Sequence, residues 1–107
     1  MAEFSVHDLE AIVRARLAGD SGASYTKSLA EKGIDKCAEK FGEEAVEAVI
    51  AAVRRAPDEL TMEAADVVYH LTVLLAVQGV SWSDVTAELE RRTAQSGLEE
   101  KASRETS

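Results

Sequence analysis

One proline stands in this chain of 107 residues, Pro57, in the segment "APDEL" between two long stretches. The first begins near Ile34 and runs to about Arg55. The second spans roughly residues 58–78 and ends at Gly79. Both are built from Ala, Val, Leu and Glu, which favour helix. Two long helices joined by so tight a connection should pack antiparallel. Asp58 is the expected cap of the second. Gly42 lies inside the first, at a cost of about 1 kcal/mol relative to Ala.

Other breaks divide the rest. Ser5 is a plausible N-cap for a helix running to about Ala18, with Leu9, Ile12, Val13 and Leu17 as its apolar stripe. "GDSGAS", residues 19–24, reads as a loop. "SYTKSLAEKG", residues 24–33, reads as a short helix ending at Gly33. Ser81 or Ser83 caps a last helix to about Gln95, and residues 96–107 form a polar tail. Hydrophobic residues make up 46% and charged residues 30%, so the chain should fold. Aromatics at only 5% favour helices over a sheet. The expectation is one all-α domain over residues 1–107.

The net charge of −8 argues against a nucleic-acid partner. A lone cysteine, Cys37, permits no disulfide within the chain and fits a cytoplasmic setting. No signal peptide is evident at the start. The longest apolar run, "VVYHLTVLLAV" at residues 67–77, is too short for a membrane span and contains His70. No membrane association is expected. The run exceeds what one side of a helix in a small domain must bury, which points to a homo-oligomer.

"KFGEEAVEAV", residues 40–49, crowds Glu43, Glu44 and Glu47 beside apolar residues. At 100° per residue, with Glu43 at 0°, Glu47 falls at about 40° and Glu44 at about 100°. Val46, Val49, Ile50 and Val53 gather on the neighbouring side as the expected core stripe, with the acids on its shoulder. Lys36, Lys40 and Arg54 share the side of Glu43 and Glu47. On the next helix Glu63, Asp66 and His70 share a face. Glu47 lies ten residues before Pro57 and Glu63 six after it; with a few residues given to the connection both sit roughly two turns from it, so the two acid clusters should meet. A hard divalent cation with oxygen ligands would relieve their repulsion. Mg²⁺ commonly binds through a few carboxylates plus substrate phosphates, and Lys36 and Lys40 are placed to help hold a phosphate. The same spacing also fits a solvated helix face. The second cluster and its matched distance from the turn favour the metal.

Glu43-Glu44-x-x-Glu47 followed by Glu63-x-x-Asp66 resembles the EExxE…ExxD signature of the MazG-like all-α nucleotide pyrophosphohydrolases. With "SYTKSLAEKG", "KFGEEAVEAVIAA", "EAADVVYHLTVLLAVQG" and "QSGLEEKASR", roughly residues 5–104 resemble the phosphoribosyl-ATP pyrophosphatase family. The resemblance implies a MazG-like helical bundle, two long antiparallel central helices completed by oligomerisation, as a homodimer or larger. It implies Mg²⁺-dependent hydrolysis of phosphoribosyl-ATP to phosphoribosyl-AMP and pyrophosphate, the second step of histidine biosynthesis. It places Glu44, Glu47, Glu63 and Asp66 as metal ligands. Glu43 is either a ligand or the group orienting the attacking water, so Glu43, Glu44 and Glu47 form the catalytic set. Lys36, Lys40, Lys27 and Lys101 are phosphate-binding candidates. Family members often carry a His where this chain has Thr93. The alternatives are a house-cleaning nucleoside triphosphate pyrophosphatase on the same scaffold and a non-catalytic helical dimerisation protein.

Other residues take plainer readings. His70 is a core histidine or a partner of an acid. Tyr69 and Trp82 read as packing or interface residues rather than base-stacking platforms, and Cys37 as a small residue on its helix. Arg91 and Arg92 read as solvated, with substrate binding across a subunit interface as the alternative. Ser24, Tyr25 and Thr26 read as a helix cap whose hydroxyls could also touch substrate.

Overall fold

The computed structural model describes residues 3–19, 24–94 and 104. Within them the chain forms five helices: α1 Val6–Ala18, α2 Tyr25–Glu31, α3 Ile34–Val53, α4 Pro57–Val77 and α5 Trp82–Thr93. The all-α reading holds. The last helix runs to Thr93, and of the expected tail residues 96–103 and 105–107 lie outside the described residues, as does residue 95.

Local chemistry sets the ends. Ser5 accepts from the Asp8 N–H while the Asp8 carboxylate accepts from the Ser5 N–H, a capping box that starts α1. Ser81 and Asp84 repeat it at α5, so Ser81 rather than Ser83 is the cap. Ser24 Oγ accepts from the Lys27 N–H and starts α2. Asp58 does not cap α4. The N-cap is Ala56, without a side-chain hydrogen bond, and Pro57 occupies the first turn, where its missing N–H goes unneeded.

The turn between α3 and α4 has a specific form. The Ala56 N–H donates to the Ala51 carbonyl and the Arg55 N–H to the Ala52 carbonyl, with Arg55 left-handed at φ 59°. This is a Schellman ending with Arg at the position that usually takes Gly. At the end of α4 the same ending uses Gly79, φ 74°, with Val80 N–H donating to Leu75.

The longest packing seam joins α3 to α4, and α1 and α2 cover one end of it. Cys37 shares a buried cluster with Val73, whereas Glu44 meets Glu63 and Asp66. Pairs that descend along one helix as they ascend the other make the two antiparallel, as expected. The buried cluster is Val13, Leu29, Cys37 and Val73, flanked by Leu9, Leu17, Tyr69 and Leu74. It sits at the end of the α3–α4 pair remote from the turn. Trp82 is buried beside it: its indole N–H donates to Thr72 Oγ1 at 2.9 Å and its backbone N–H to Glu10 at 2.7 Å.

One expectation fails. Val46, Val49, Ile50 and Val53 are not core; each is between 50% and 75% exposed in the single chain. The face of α3 turned to α4 carries Cys37, Glu44, Ala48 and Ala51 instead. Small residues there let the helices approach closely, and the branched side chains face outward.

By length and mean hydropathy, 1.5, α4 could cross a membrane. It carries Glu63 and Asp66 at mid-length, converging with Glu44 of α3. Two carboxylates there would be costly in a bilayer, and α4 meets α1, α2 and α3 along its length instead.

Candidate active site

Glu44 reaches the site because α3 turns it to α4, and Glu63 and Asp66, three residues apart, share the answering face. One carboxylate oxygen from each of Glu44, Glu63 and Asp66 lies within 4.8 Å of the others. Oxygens on opposite sides of one divalent cation are about 4–5 Å apart, so a single ion fits between them. Glu63 Oε2 is buried and is the one such side-chain atom among the described residues with no hydrogen-bond partner. A buried acceptor left without a donor is costly, and a cation supplies what is missing.

Glu47 joins at the edge and is itself exposed. Burial first, then the nearby carboxylates of Glu47, Asp66 and Glu44, push the Glu63 carboxyl above its ordinary range. The four acids expected as ligands are thus brought together, three as one triad and Glu47 against Glu63.

Glu43 stands apart from the triad. Its carboxylate pairs with Lys40 at 3.0 Å. The hydrogen bond and charge of Lys40 hold Glu43 below the usual carboxylate range, and Glu43 in turn raises Lys40. Both line a cleft of about 220 Å³ with Tyr25, Ser28, Leu29, Lys32 and Lys36. Lys36 also pairs with Glu39 at 3.3 Å. Of the other expected phosphate contacts, Lys27 donates to the Gly19 carbonyl at 2.5 Å and does not line the cleft. Lys101 lies outside the described residues.

His70 ties this cleft to the acids. Its Nδ1 is 2.9 Å from the Asp66 carbonyl, which can only accept, so Nδ1 carries the proton. In the neutral ring Nε2 then accepts from the Tyr25 hydroxyl at 3.2 Å. The Tyr69 ring stands edge-on to His70 at 5.3 Å, and its hydroxyl hydrogen-bonds Thr26. His70 therefore holds the start of α2 against the turn of α4 that carries Asp66. Cys37 is inert: its buried thiol donates weakly to the Leu29 carbonyl, and burial raises its pKa. Arg91 and Arg92 pair with Glu88 on their own exposed helix face.

Lys32, Ser28 and the Tyr25–His70 contact escape the sequence reading. Lys32, Lys36 and Lys40 recur every four residues, a readable signal, but Gly33 ends one helix between the first two and hides it. Tyr25 and His70 are 45 residues apart, and nothing in the sequence pairs them.

The model of the family described as phosphoribosyl-ATP pyrophosphohydrolase matches residues 6–93. A phosphoribosyl-ATP pyrophosphatase from Azorhizobium caulinodans is 59% identical over 100 residues, covering 94% of this chain and 92% of its own. Phosphoribosyl-ATP pyrophosphatase 1 of Rhodopseudomonas palustris is 56% identical over 104 residues, 97% of each chain. The phosphoribosyl-ATP pyrophosphatase of Rhizobium johnstonii is 54% identical over 107 residues, the full length of both. Similarity of this extent, over a helical pair whose acids converge as the family motif requires, leaves one conclusion: the chain belongs to the phosphoribosyl-ATP pyrophosphohydrolase family.

Proposed function

We propose that this protein hydrolyses phosphoribosyl-ATP to phosphoribosyl-AMP and pyrophosphate, the second step of histidine biosynthesis, and that it does so with Mg²⁺. The observation that carries the metal is the unpartnered Glu63 oxygen beside Glu44 and Asp66. Glu44, Glu63 and Asp66 would hold the ion, with Glu47 completing the set. When bound, Mg²⁺ supplies charge neutralisation to phosphate oxygens and makes water more acidic.

The residues divide the remaining work. Cleavage between the α- and β-phosphorus needs a positioned water and neutralised phosphates. Glu47 is exposed at the rim, and a carboxylate oxygen there that the ion does not engage would accept the proton of the attacking water. Glu43 acts as a positioning residue: it pairs with Lys40, whose ammonium also lies within electrostatic reach of Glu44. His70 keeps the Asp66 turn in place through its carbonyl.

The apolar stripe Val46, Val49, Ile50 and Val53, with Met62, supports a homodimer through this face. A free, buried Cys37 suits a reducing cytosol. Incubation of the purified protein with phosphoribosyl-ATP and, separately, with ordinary nucleoside triphosphates tests the substrate. Pyrophosphate release from phosphoribosyl-ATP is expected. Turnover of nucleoside triphosphates alone would favour a house-cleaning enzyme on the same scaffold.

A further inference from the structure

We infer that the cleft between α2 and α3 is a separate subsite for the 5-phosphate of the substrate's added ribose, with Lys32 at its outer end. The inference rests on the substrate reading above and deepens it. Such a substrate carries phosphate at two remote ends, a triphosphate and a ribosyl 5-phosphate. An ordinary nucleoside triphosphate has only the first. The acid cluster accounts for the triphosphate and leaves the other end without a partner.

The cleft supplies one. The chain carries a net charge of −8 and five lysines, and Lys32, Lys36 and Lys40 all line this one cleft. Such concentration of positive charge in an acidic protein calls for an anion. The three are graded by distance from the acids. Lys40 is paired with Glu43 and feels Glu44. Lys36 stands one turn, about 6 Å, further along α3. Lys32 is the C-cap residue of α2, beyond Gly33, and makes no ion pair among the described residues. Lys36–Glu39 is an exposed pair of the kind worth little, so a doubly charged phosphate can displace Glu39. Ser28 on the wall adds a hydroxyl donor for phosphate or sugar oxygens, and the Tyr25 hydroxyl, whose proton goes to His70, can accept from a sugar hydroxyl. At about 220 Å³ the cleft is smaller than pockets for whole drug-sized ligands, roughly 300–1,000 Å³, and suits a phosphosugar rather than a complete nucleotide. Lys40, shared between cleft and cluster, would keep the two ends of one substrate in register.

The direct test is titration of the full-length ¹⁵N-labelled protein with ribose 5-phosphate, without divalent metal. Shifts centred on residues 28–40 are expected, with about tenfold weaker binding in Lys32→Gln, the loss of one charge-assisted hydrogen bond. Shifts centred on the Glu44–Asp66 region, or unchanged binding by Lys32→Gln, would overturn the subsite. Kinetics separates the two phosphate sources. Lys32→Gln should raise KM for phosphoribosyl-ATP about tenfold while kcat stays within about twofold and product inhibition by pyrophosphate is unchanged. An equal rise in the pyrophosphate inhibition constant would reassign the cleft to the triphosphate and refute the inference. Absence of phosphoribosyl-ATP turnover by the wild-type protein would refute the substrate reading, while the ribose 5-phosphate titration still judges the cleft.

Discussion

Replacing Val49 by Asp tests whether the outward stripe of α3 is a subunit interface. Val46, Val49, Ile50 and Val53 each leave half or more of their surface open. Fully burying such a side chain is worth about 1.5–3 kcal/mol, so covering the exposed part contributes on the order of 1 kcal/mol. Four from each protomer then give on the order of 8 kcal/mol. That outweighs the lower estimates for the cost of association, about 4 kcal/mol, before Met62 and the surrounding contacts are added. Val49→Asp removes about 1 kcal/mol of this from each copy. It also buries a carboxylate without a partner in each half, at about 1–3 kcal/mol or more apiece. The combined loss of at least about 4 kcal/mol weakens the dimer roughly a thousandfold. On α3 Val49 lies about 140° from Glu44, so the metal cluster keeps its surroundings. Sedimentation velocity at tens of micromolar should show a dimer for the wild type and a monomer for Val49→Asp, with helical circular dichroism retained. A monomeric wild type, or a variant that stays dimeric at the same concentration, would refute the reasoning.

Two further predictions concern the same helical pair. Glu63→Gln supplies an amide donor in place of a crowded carboxylate, so the metal-free protein should melt higher than wild type by differential scanning calorimetry. Adding Mg²⁺ should raise the wild-type melting temperature, as binding to the folded state alone requires, and should move the variant far less. Arg55→Gly relieves a left-handed residue that costs roughly 1–2 kcal/mol, less the extra freedom glycine gains when unfolded, about 0.5–1 kcal/mol. Urea unfolding should show a gain of up to about 1.5 kcal/mol. A loss would mean that the Arg55 side chain contributes more than its backbone strain costs.

Much of this architecture is legible in the sequence because its signals are local. Ser5 and Ser81 announce helix starts, and Pro57 fixes the antiparallel pair. The meeting of Glu44 with Glu63 and Asp66 follows from matched distances to that turn. The core stripe is misread for a physical reason. Helical periodicity shows that Val46, Val49, Ile50 and Val53 share a face, but not which partner covers it. Within the chain α4 packs on the small-residue face of α3, and the branched face stays open. The ending at Arg55 is hidden because nothing but glycine or asparagine advertises a left-handed residue. The crowding at Glu43 has a local answer, Lys40 at 3.0 Å, whereas the lysine cleft depends on how α2 folds back on α3.

The metal site proposed for the carboxylates of α3 and α4 is one that cleaves phosphoribosyl-ATP. Its most direct measurement is pyrophosphate release from that substrate, with and without Mg²⁺, by wild type and by Glu44→Gln. Metal-dependent release by the wild type is predicted, with a drop of about 10²–10³-fold or more in Glu44→Gln at unchanged helical content and dimer mass. Full hydrolysis by Glu44→Gln, or release by the wild type that chelation of the metal does not affect, would contradict it.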